Sequence, residues 1–313
     1  ARYTAVYDLA LLQDEYPDKL TLRTESPVTR VLMDGKKRAR GASYLDLTTG
    51  SSDSMEADLV VVCAGTIESA KLLLASANGD WADGIGNDSG HVGRHLIGHP
   101  VMHASGVRPA NPDKLDAELG FTSLISRHFD SPQYQHKGKM WFSGGVSSTS
   151  SLEEQVLSNV SRADMDARLI SEMRISLGGE MEQFDSPENR VSLGSGTTRH
   201  GLPTTEIEVA VHDINIRTRQ EHVQTFVEIL KSAGCTEDSI ESGEFDPDGA
   251  HAASTCRMSA SDGEGVVNPD LRVHGTDNLY VCSNAVFPSI GAANPTLTVS
   301  ALAVRLAERV GTG

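Results

Sequence analysis

The chain has 313 residues, with 43 acidic against 27 basic side chains, a formal net charge of −16 and a pI near 5.0. That balance offers no basic face for nucleic acid or an anionic membrane, and no apolar run approaches the ~18 residues that a spanning helix needs. The length suits two domains of roughly 100–200 residues, and the 22% charged fraction is that of an ordinary solvated exterior rather than a disordered acidic tail.

Four cysteines, Cys63, Cys235, Cys256 and Cys282, are widely spaced and contain no C-x-x-C. Three sit in apolar or strand-like settings and read as buried thiols, not as a disulfide framework. The chain opens at Ala1 without Met, which reads as a processed chain or a fragment.

In chain order, the end of a helix over 3–12 comes first. Segments 20–34, 38–50 and 54–65 then alternate apolar and polar residues as half-buried strands do. The third ends in the continuous apolar run 59–63, the pattern of a strand covered on both faces in a parallel sheet. Ala64-Gly65 makes a turn, and "TIESAKLLLASA" reads as helix, with Thr66 near the N-cap and Glu68 in the first turn. Strand, turn and helix form an α/β crossover unit.

Residues 79–100 are rich in Gly and Asp and read as loop. From 101 to 247, β-branched and aromatic segments punctuated by turns predict a mainly antiparallel sheet, with only 218–233 clearly helical. Short buried strands return in "GVVNPDLRVHGTDNLYVCS", and a helix from Pro295 closes the chain. Residues 1–95 and 248–313 are thus expected to form one α/β domain, with a second domain, 96–247, inserted between them.

Several motifs have competing readings. "GIGNDSG" comes near G-x-G-x-x-G but has one residue too many and follows no strand. His91, His95 and His99 recur every four residues, which on a helix would present three imidazoles to zinc; Gly93 and Gly98 argue for loop packing and no metal. His251 lies among small residues that let a ligand approach closely, yet alone it is also a packed core histidine. Asn294 alone is a helix N-cap, with Pro295 at the first helical position, where proline is favoured.

Taken in order, "HAASTCRM", "GVVNPDLRVHGTDNLYV" and "VFPSIGAANPTLT" resemble the C-terminal signature of the GMC (glucose–methanol–choline) oxidoreductases, flavoenzymes that oxidise alcohols with FAD. "ADLVVVCAGTIESAKLLLAS", "VGRHLIGHP" and "EQFDSPENRVSL" extend the resemblance upstream. The sequence departs from the pattern at Ser254-Thr255, where the family has Gly-Thr. It departs again at Ser283, where Asp is common, and at His95 and Gly98, which stand for Asn and Asp. The ending is similar to that of the sugar- and polyol-oxidising branch.

The resemblance implies α/β plus α+β architecture: an FAD-binding doubly wound domain, incomplete in this chain, with an inserted substrate domain on a mainly antiparallel sheet. It implies His251 as the base for an alcohol or sugar substrate, Asn294 as the second active-site residue, and hydride transfer to flavin N5. Val28 would meet adenine, and Ala64 would lie at the carboxyl end of the buried strand, where nucleotides bind. Ser283 and Asn284 would lie near the phosphates and ribityl chain. Pro295 and Thr296 would aim a helix N-terminus at the flavin pyrimidine. The family's strand, G-x-G-x-x-G loop and helix are missing, so a companion polypeptide or N-terminal segment is expected to supply them. A non-catalytic binding or assembly subunit of the same fold is the rival reading.

Overall fold

The computed structural model describes residues 4–109, 124–132, 137–145, 161–164, 172–243 and 246–311. Helix α1 (Ala5–Glu15) is capped by Thr4, whose side chain accepts from the Val6 N–H, and none of its residues is buried. Strands β1 (Val28–Asp34), β2 (Arg38–Leu45) and β3 (Ser52–Glu56) form an antiparallel meander. Strand β4 (Val60–Val62) leads through Ala64 into helix α2 (Gly65–Ala75).

The long strand β5 (Ile97–Pro109) then enters a second sheet with β6 (Leu124–Ser126), β7 (Gly138–Gly145) and β8 (Glu172–Met181). Strand β8 lies antiparallel between β5 and β7. A hairpin, β9 (Arg190–Thr197) and β10 (Pro203–Glu208), precedes helix α3 (Asp213–Ser232). Strands β11 (Glu241–Ser242) and β12 (Asp246–Ala253) pair successive stretches of β5 on its free side. Strand β13 (Leu279–Val281) runs parallel to β4, with Leu279 opposite Val60 and Val281 opposite Val62, and helix α4 (Thr296–Gly311) closes the chain.

Two buried clusters hold these pieces. One joins α2, β4, β13 and the loops 81–97 and 253–290 through Leu73, Trp81, Ile85, Val267, Leu271, Val281 and Phe287. The other packs Val223, Phe226 and Leu230 of α3 on Met102, Ile175 and Leu177 of the large sheet. Two glycines of β8 shape that sheet's faces. A side chain at Gly178 would lie 2.4 Å from the Trp141 ring, and one at Gly179 would lie 2.8 Å from Phe226. Successive strand residues face opposite sides, so α3 covers the Gly179 face and leaves the Gly178 and Glu180 face for other use.

Several expectations move. Strand β5 begins at Ile97, so the loop ends four residues short of 100 and His99 is a strand residue. Segment 20–34 is strand only from Val28, because Pro27 and the positive φ of Glu25 break the ladder before it. Helix α3 starts at Asp213, five residues early, since Asp in the first turn favours a helix N-terminus. Cys235 and Cys256 are buried, but Cys63, past the end of β4, is exposed. No described helix is long and apolar enough to cross a membrane.

The bend that carries the chain from α2 toward β5 depends on Gly93. Its φ is +85°, its N–H donates to the Thr255 carbonyl at 2.7 Å, and its carbonyl accepts from the Val191 N–H at 2.8 Å. An added Cβ would stand 2.1 Å from the Val191 carbonyl oxygen. Gly93→Ala is expected to lower stability by roughly 2–4 kcal/mol through backbone strain and clash. Denaturant melts of the complete protein check this, and a loss below about 0.5 kcal/mol would show that the bend relaxes at little cost.

Candidate active site

Four strands bring one polar row to the face that α3 leaves open. Lys139 of β7 lies directly opposite Glu180 of β8. Glu180 lies opposite Val101 of β5, two residues from His99. His99 lies opposite Ala250 of β12, next to His251. Side chains alternate along a strand, so a one-residue slip in any ladder would turn its member of the row away. His251 itself has φ +63°, a left-handed conformation that non-glycine residues adopt only where the surroundings enforce it.

Those surroundings are hydrogen bonds to the first core. Thr66 Oγ1 donates to the Ala252 carbonyl and Thr255 Oγ1 to the Thr66 carbonyl, each at 2.6 Å. The Ser254 N–H donates to the Asn284 carbonyl at 3.1 Å. Glu182 and Gln183, just past β8, pin the neighbouring loops: Glu182 Oε1 accepts the Gly291 N–H and Gln183 Oε1 the Gly98 N–H.

The row reads as one chain of donors and acceptors, and both ends give the same answer. The Lys139 ammonium can only donate, and it donates to Asn294 Oδ1. The Asn294 Nδ2 therefore faces His251 Nε2, at 3.1 Å, so that Nε2 accepts and His251 carries its proton on Nδ1. From the other end, the Gly291 carbonyl can only accept, so His99 Nε2, 2.9 Å away, carries a proton. The neutral His99 ring then offers Nδ1 as acceptor to His251 Nδ1–H at 3.0 Å. This network assigns the tautomers: His251 holds an unprotonated Nε2 toward Asn294 and the cavity beyond it.

That cavity, about 650 Å³, is lined by Ile125, Arg127, Lys137, Lys139 and the 291–294 turn. Behind the row sits Glu180, whose side chain is 9% exposed. Its Oε2 lies 2.7 Å from Lys139 Nζ, 3.3 Å from His99 Nδ1 and 3.6 Å from His251 Nδ1. Oε2 has no partner with hydrogen-bond direction, so Lys139 holds it as an ion pair, and the two neutral imidazoles stand beside it. Burial would raise the Glu180 pKa, but the His99 ring and the Lys139 ammonium outweigh it and bring the carboxyl to about 2. Burial lowers the His251 pKa, Glu180 opposes that, and His99 and Lys139 reinforce it. His99, Glu180 and His251 also have a donor set that suits a metal ion. Here the Lys139 ammonium, 2.7 Å from Oε2, already pairs with the carboxylate.

The remaining predicted residues fall in two places. Val28 and Ala64, far apart in sequence, share a groove of about 290 Å³ with Pro27, Thr29, Glu68 and Pro203. It lies at the carboxyl end of β4, and no side chain caps the N-terminus of α2 there. Ser283 is buried against the same helix end; its hydroxyl donates to the Gly65 carbonyl at 3.3 Å and accepts from the Ala285 N–H, and Asn284 follows it in a short 3₁₀ turn. Pro295 is buried, while Thr296 is exposed at the start of α4, beside Asn294. The Asn294 side chain turns to Lys139 and His251 rather than to the helix.

The His91, His95, His99 repeat does not form one face. His91 and His95 stack at 5.5 Å, His95 Nδ1 pairs with Asp185 at 2.8 Å, and His99 points into the row. His99, Lys139 and Glu180 were not among the residues singled out from sequence for this site. His99 lies in the "VGRHLIGHP" motif, but Lys139 and Glu180 meet only through strand register, which no local motif records.

Two sequence models of one family, described as GMC oxidoreductase, match residues 6–101 and 185–303. The chain is 30% identical over 299 residues to paromamine 6'-oxidase of Streptomyces fradiae, covering 93% of this chain and 52% of that protein. It is 31% identical over 296 residues to a C-glycoside 3-oxidase of Microbacterium trichothecenolyticum, covering 93% and 53%. The chain thus spans about half the length of the curated relatives it matches. Among solved structures, an Aspergillus oryzae formate oxidase variant superposes with a TM-score of 0.65 at 18% identity, covering 92% of this chain and 60% of that one. A pyridoxine 4-oxidase superposes with a TM-score of 0.62 at 20% identity, covering 94% and 58%. Both share the fold.

The Glu180 pairing makes stability depend on acid. Its folded pKa, about 2, lies below the ordinary 4.5, so its contribution is full above pH 4.5 and is lost as pH falls toward 2. Glu180→Gln is expected to cost roughly 3 kcal/mol at pH 7, with the gap to wild type narrowing below pH 4.5. Melts at pH 7 and pH 3 measure it; an equal deficit at both would mean that shape, not charge, is what the substitution removes.

Proposed function

The chain belongs to the GMC oxidoreductase family, and from that premise we propose that the complete protein oxidises an alcohol with FAD, a sugar or polyol being the substrate class. His251 takes the hydroxyl proton at Nε2, and Asn294 holds the reacting oxygen through its amide. The observation that carries this is the 3.1 Å contact between Asn294 Nδ2 and an unprotonated His251 Nε2 at the edge of a 650 Å³ cavity. An imidazole whose pKa is lowered by burial stays neutral, and able to accept, at ordinary pH. Fixing the hydroxyl between an amide and a base contributes orientation as well as proton transfer. Relatives named as oxidases of paromamine and of a C-glycoside support a sugar-like substrate.

The residues present fit FAD. The groove at Val28 and Ala64 opens on the uncapped N-terminus of an 11-residue helix at the end of a parallel strand, the arrangement that receives a nucleotide phosphate. With the Ser283 hydroxyl already engaged, Asn284 and the backbone of that turn are left to meet the cofactor. Pro295 and Thr296 present a second helix N-terminus, suited to negative charge. When bound, FAD supplies the acceptor for the hydride of the carbinol carbon.

In this reading residues 1–95 and 248–313 serve the cofactor and 96–247 the substrate. A segment outside this chain completes the first unit. Its motive is apolar surface without cover among the described residues: Val61 and Leu59 at β4 are each 37% exposed, and on α4 Leu297 is 83% and Val304 59% exposed. Strands of this kind expect neighbours on both sides. A non-catalytic subunit would leave the His251–Asn294 contact without use.

His251→Ala should slow flavin reduction by about 10²-fold or more with FAD still bound; rapid-mixing reduction near the wild-type rate would remove His251 from this role. Asn294→Asp should keep stability within about 1 kcal/mol, because the side chain does not cap α4 and an acceptor still faces Lys139, while turnover falls sharply. A collapsed melting curve with full activity in the surviving fraction would instead make Asn294 a cap.

A further inference from the structure

We infer that the proton taken by His251 does not remain there as charge but is relayed across the Nδ1–Nδ1 contact to His99, which Glu180 holds as its counter-ion. This rests on His251 acting as the base. The steps balance as two proton transfers. The substrate O–H bond breaks as His251 Nε2–H forms, and His251 Nδ1–H breaks as His99 Nδ1–H forms. The electron pair of each broken bond stays on its heavy atom. His251 ends neutral with its proton on Nε2, and the positive charge lies on His99.

The geometry favours this direction. The two Nδ1 atoms are 3.0 Å apart, one already a donor and the other already an acceptor in the resting network. Glu180 Oε2 is nearer His99, at 3.3 Å, than His251, at 3.6 Å. His99 is wholly buried, whereas the His251 side chain is 25% exposed, so attraction to the carboxylate is screened less at His99. The groups that face His99 from each packed element are His251 on β12, Glu180 on β8 with Lys139 of β7 behind it, and the Gly291 carbonyl, whose turn Glu182 pins. The Gly291 carbonyl stays hydrogen-bonded through both states. His99 and Glu180 are therefore positioning residues that act through His251.

The relay is read out in the holoenzyme. Flavin reduction in H₂O/D₂O mixtures should give a bowed dependence on deuterium fraction, two protons in flight, in the wild type. His99→Asn can accept at its amide oxygen but cannot take a proton; it should give a straight line and a rate lower by about tenfold or more. A straight line in the wild type, or an unchanged bow in His99→Asn, overturns the relay. Glu180→Gln should move the ascending limb of the reduction-rate profile to lower pH by about one unit, since a lost anion no longer favours the imidazolium. Glu180→Asp should restore it, and a limb that does not move overturns the role of Glu180. Independently of turnover, ¹⁵N-histidine spectra at neutral pH should place the His251 proton on Nδ1 and the His99 proton on Nε2; the reverse assignment overturns the relay. If His251→Ala reduces flavin at the wild-type rate, the base reading fails and takes the relay with it. If His251→Ala is slow while His99→Asn keeps the bow, only the relay fails.

Discussion

Strand register across β7, β8, β5 and β12 is the constraint on which the site depends. It sets Lys139 opposite Glu180, and it brings His99 to the strand that carries His251. A ladder fixes spacing and face together, and the 291–294 turn, pinned by Glu182, adds Asn294 and the Gly291 carbonyl to the row. The sheet can give one face to this row because α3 covers the other. Gly178 and Gly179 let Trp141 and Phe226 close on β8 from the two sides, so the strand beneath the carboxylate is packed. A half-packed strand there would leave Glu180 free to reach water, and its pairing with Lys139 would be worth little.

Burying a carboxylate and an ammonium rarely stabilises a protein relative to apolar side chains of the same shape. The Lys139–Glu180 pair is therefore better understood by what it orients. Lys139 can only donate, and that one fact propagates: it turns the Asn294 amide, which sets the His251 tautomer, which sets the use of His99. The Gly291 carbonyl dictates the same sequence from the other end. Agreement between two independent termini is what allows a chain of neutral, reversible groups to hold a single proton arrangement.

Much of the fold was legible in the sequence. The buried run at 59–63, the Ala64-Gly65 turn and the following helix carry their periods openly, and so does the return of buried strands near 279. His251 and Asn294 were legible through ordered motifs, and the structure brings them into contact. Lys139 and Glu180 were not, because a lysine and a glutamate in alternating strands look like solvent-facing positions until pairing makes them neighbours. His99 was visible, but its four-residue spacing suggested a helix face. Strand β5 begins two residues before it and sends it to a different neighbourhood from His91 and His95. Tertiary register decided these cases, and register is a long-range property that short windows do not contain.

The two cores meet beside His251, and the join is made of small hydroxyl residues. Thr66 stands in the first turn of α2 and donates to the Ala252 carbonyl, one residue from His251; Thr255 donates back to the Thr66 carbonyl. The helix end that faces the groove of Val28 and Ala64 is thus bound to the strand that presents the imidazole. Ser254, at φ +79°, and His251, at φ +63°, bracket that contact. Left-handed residues of this kind persist only when neighbours over-determine them, and here the neighbours are helix α2 and the 284–287 turn. A displacement of α2 would therefore reach His251 through the Thr66–Ala252 hydrogen bond, directly at its own strand β12. His251 is held by register from one side and by α2 from the other, so the alignment of its Nε2 requires both units to be in place.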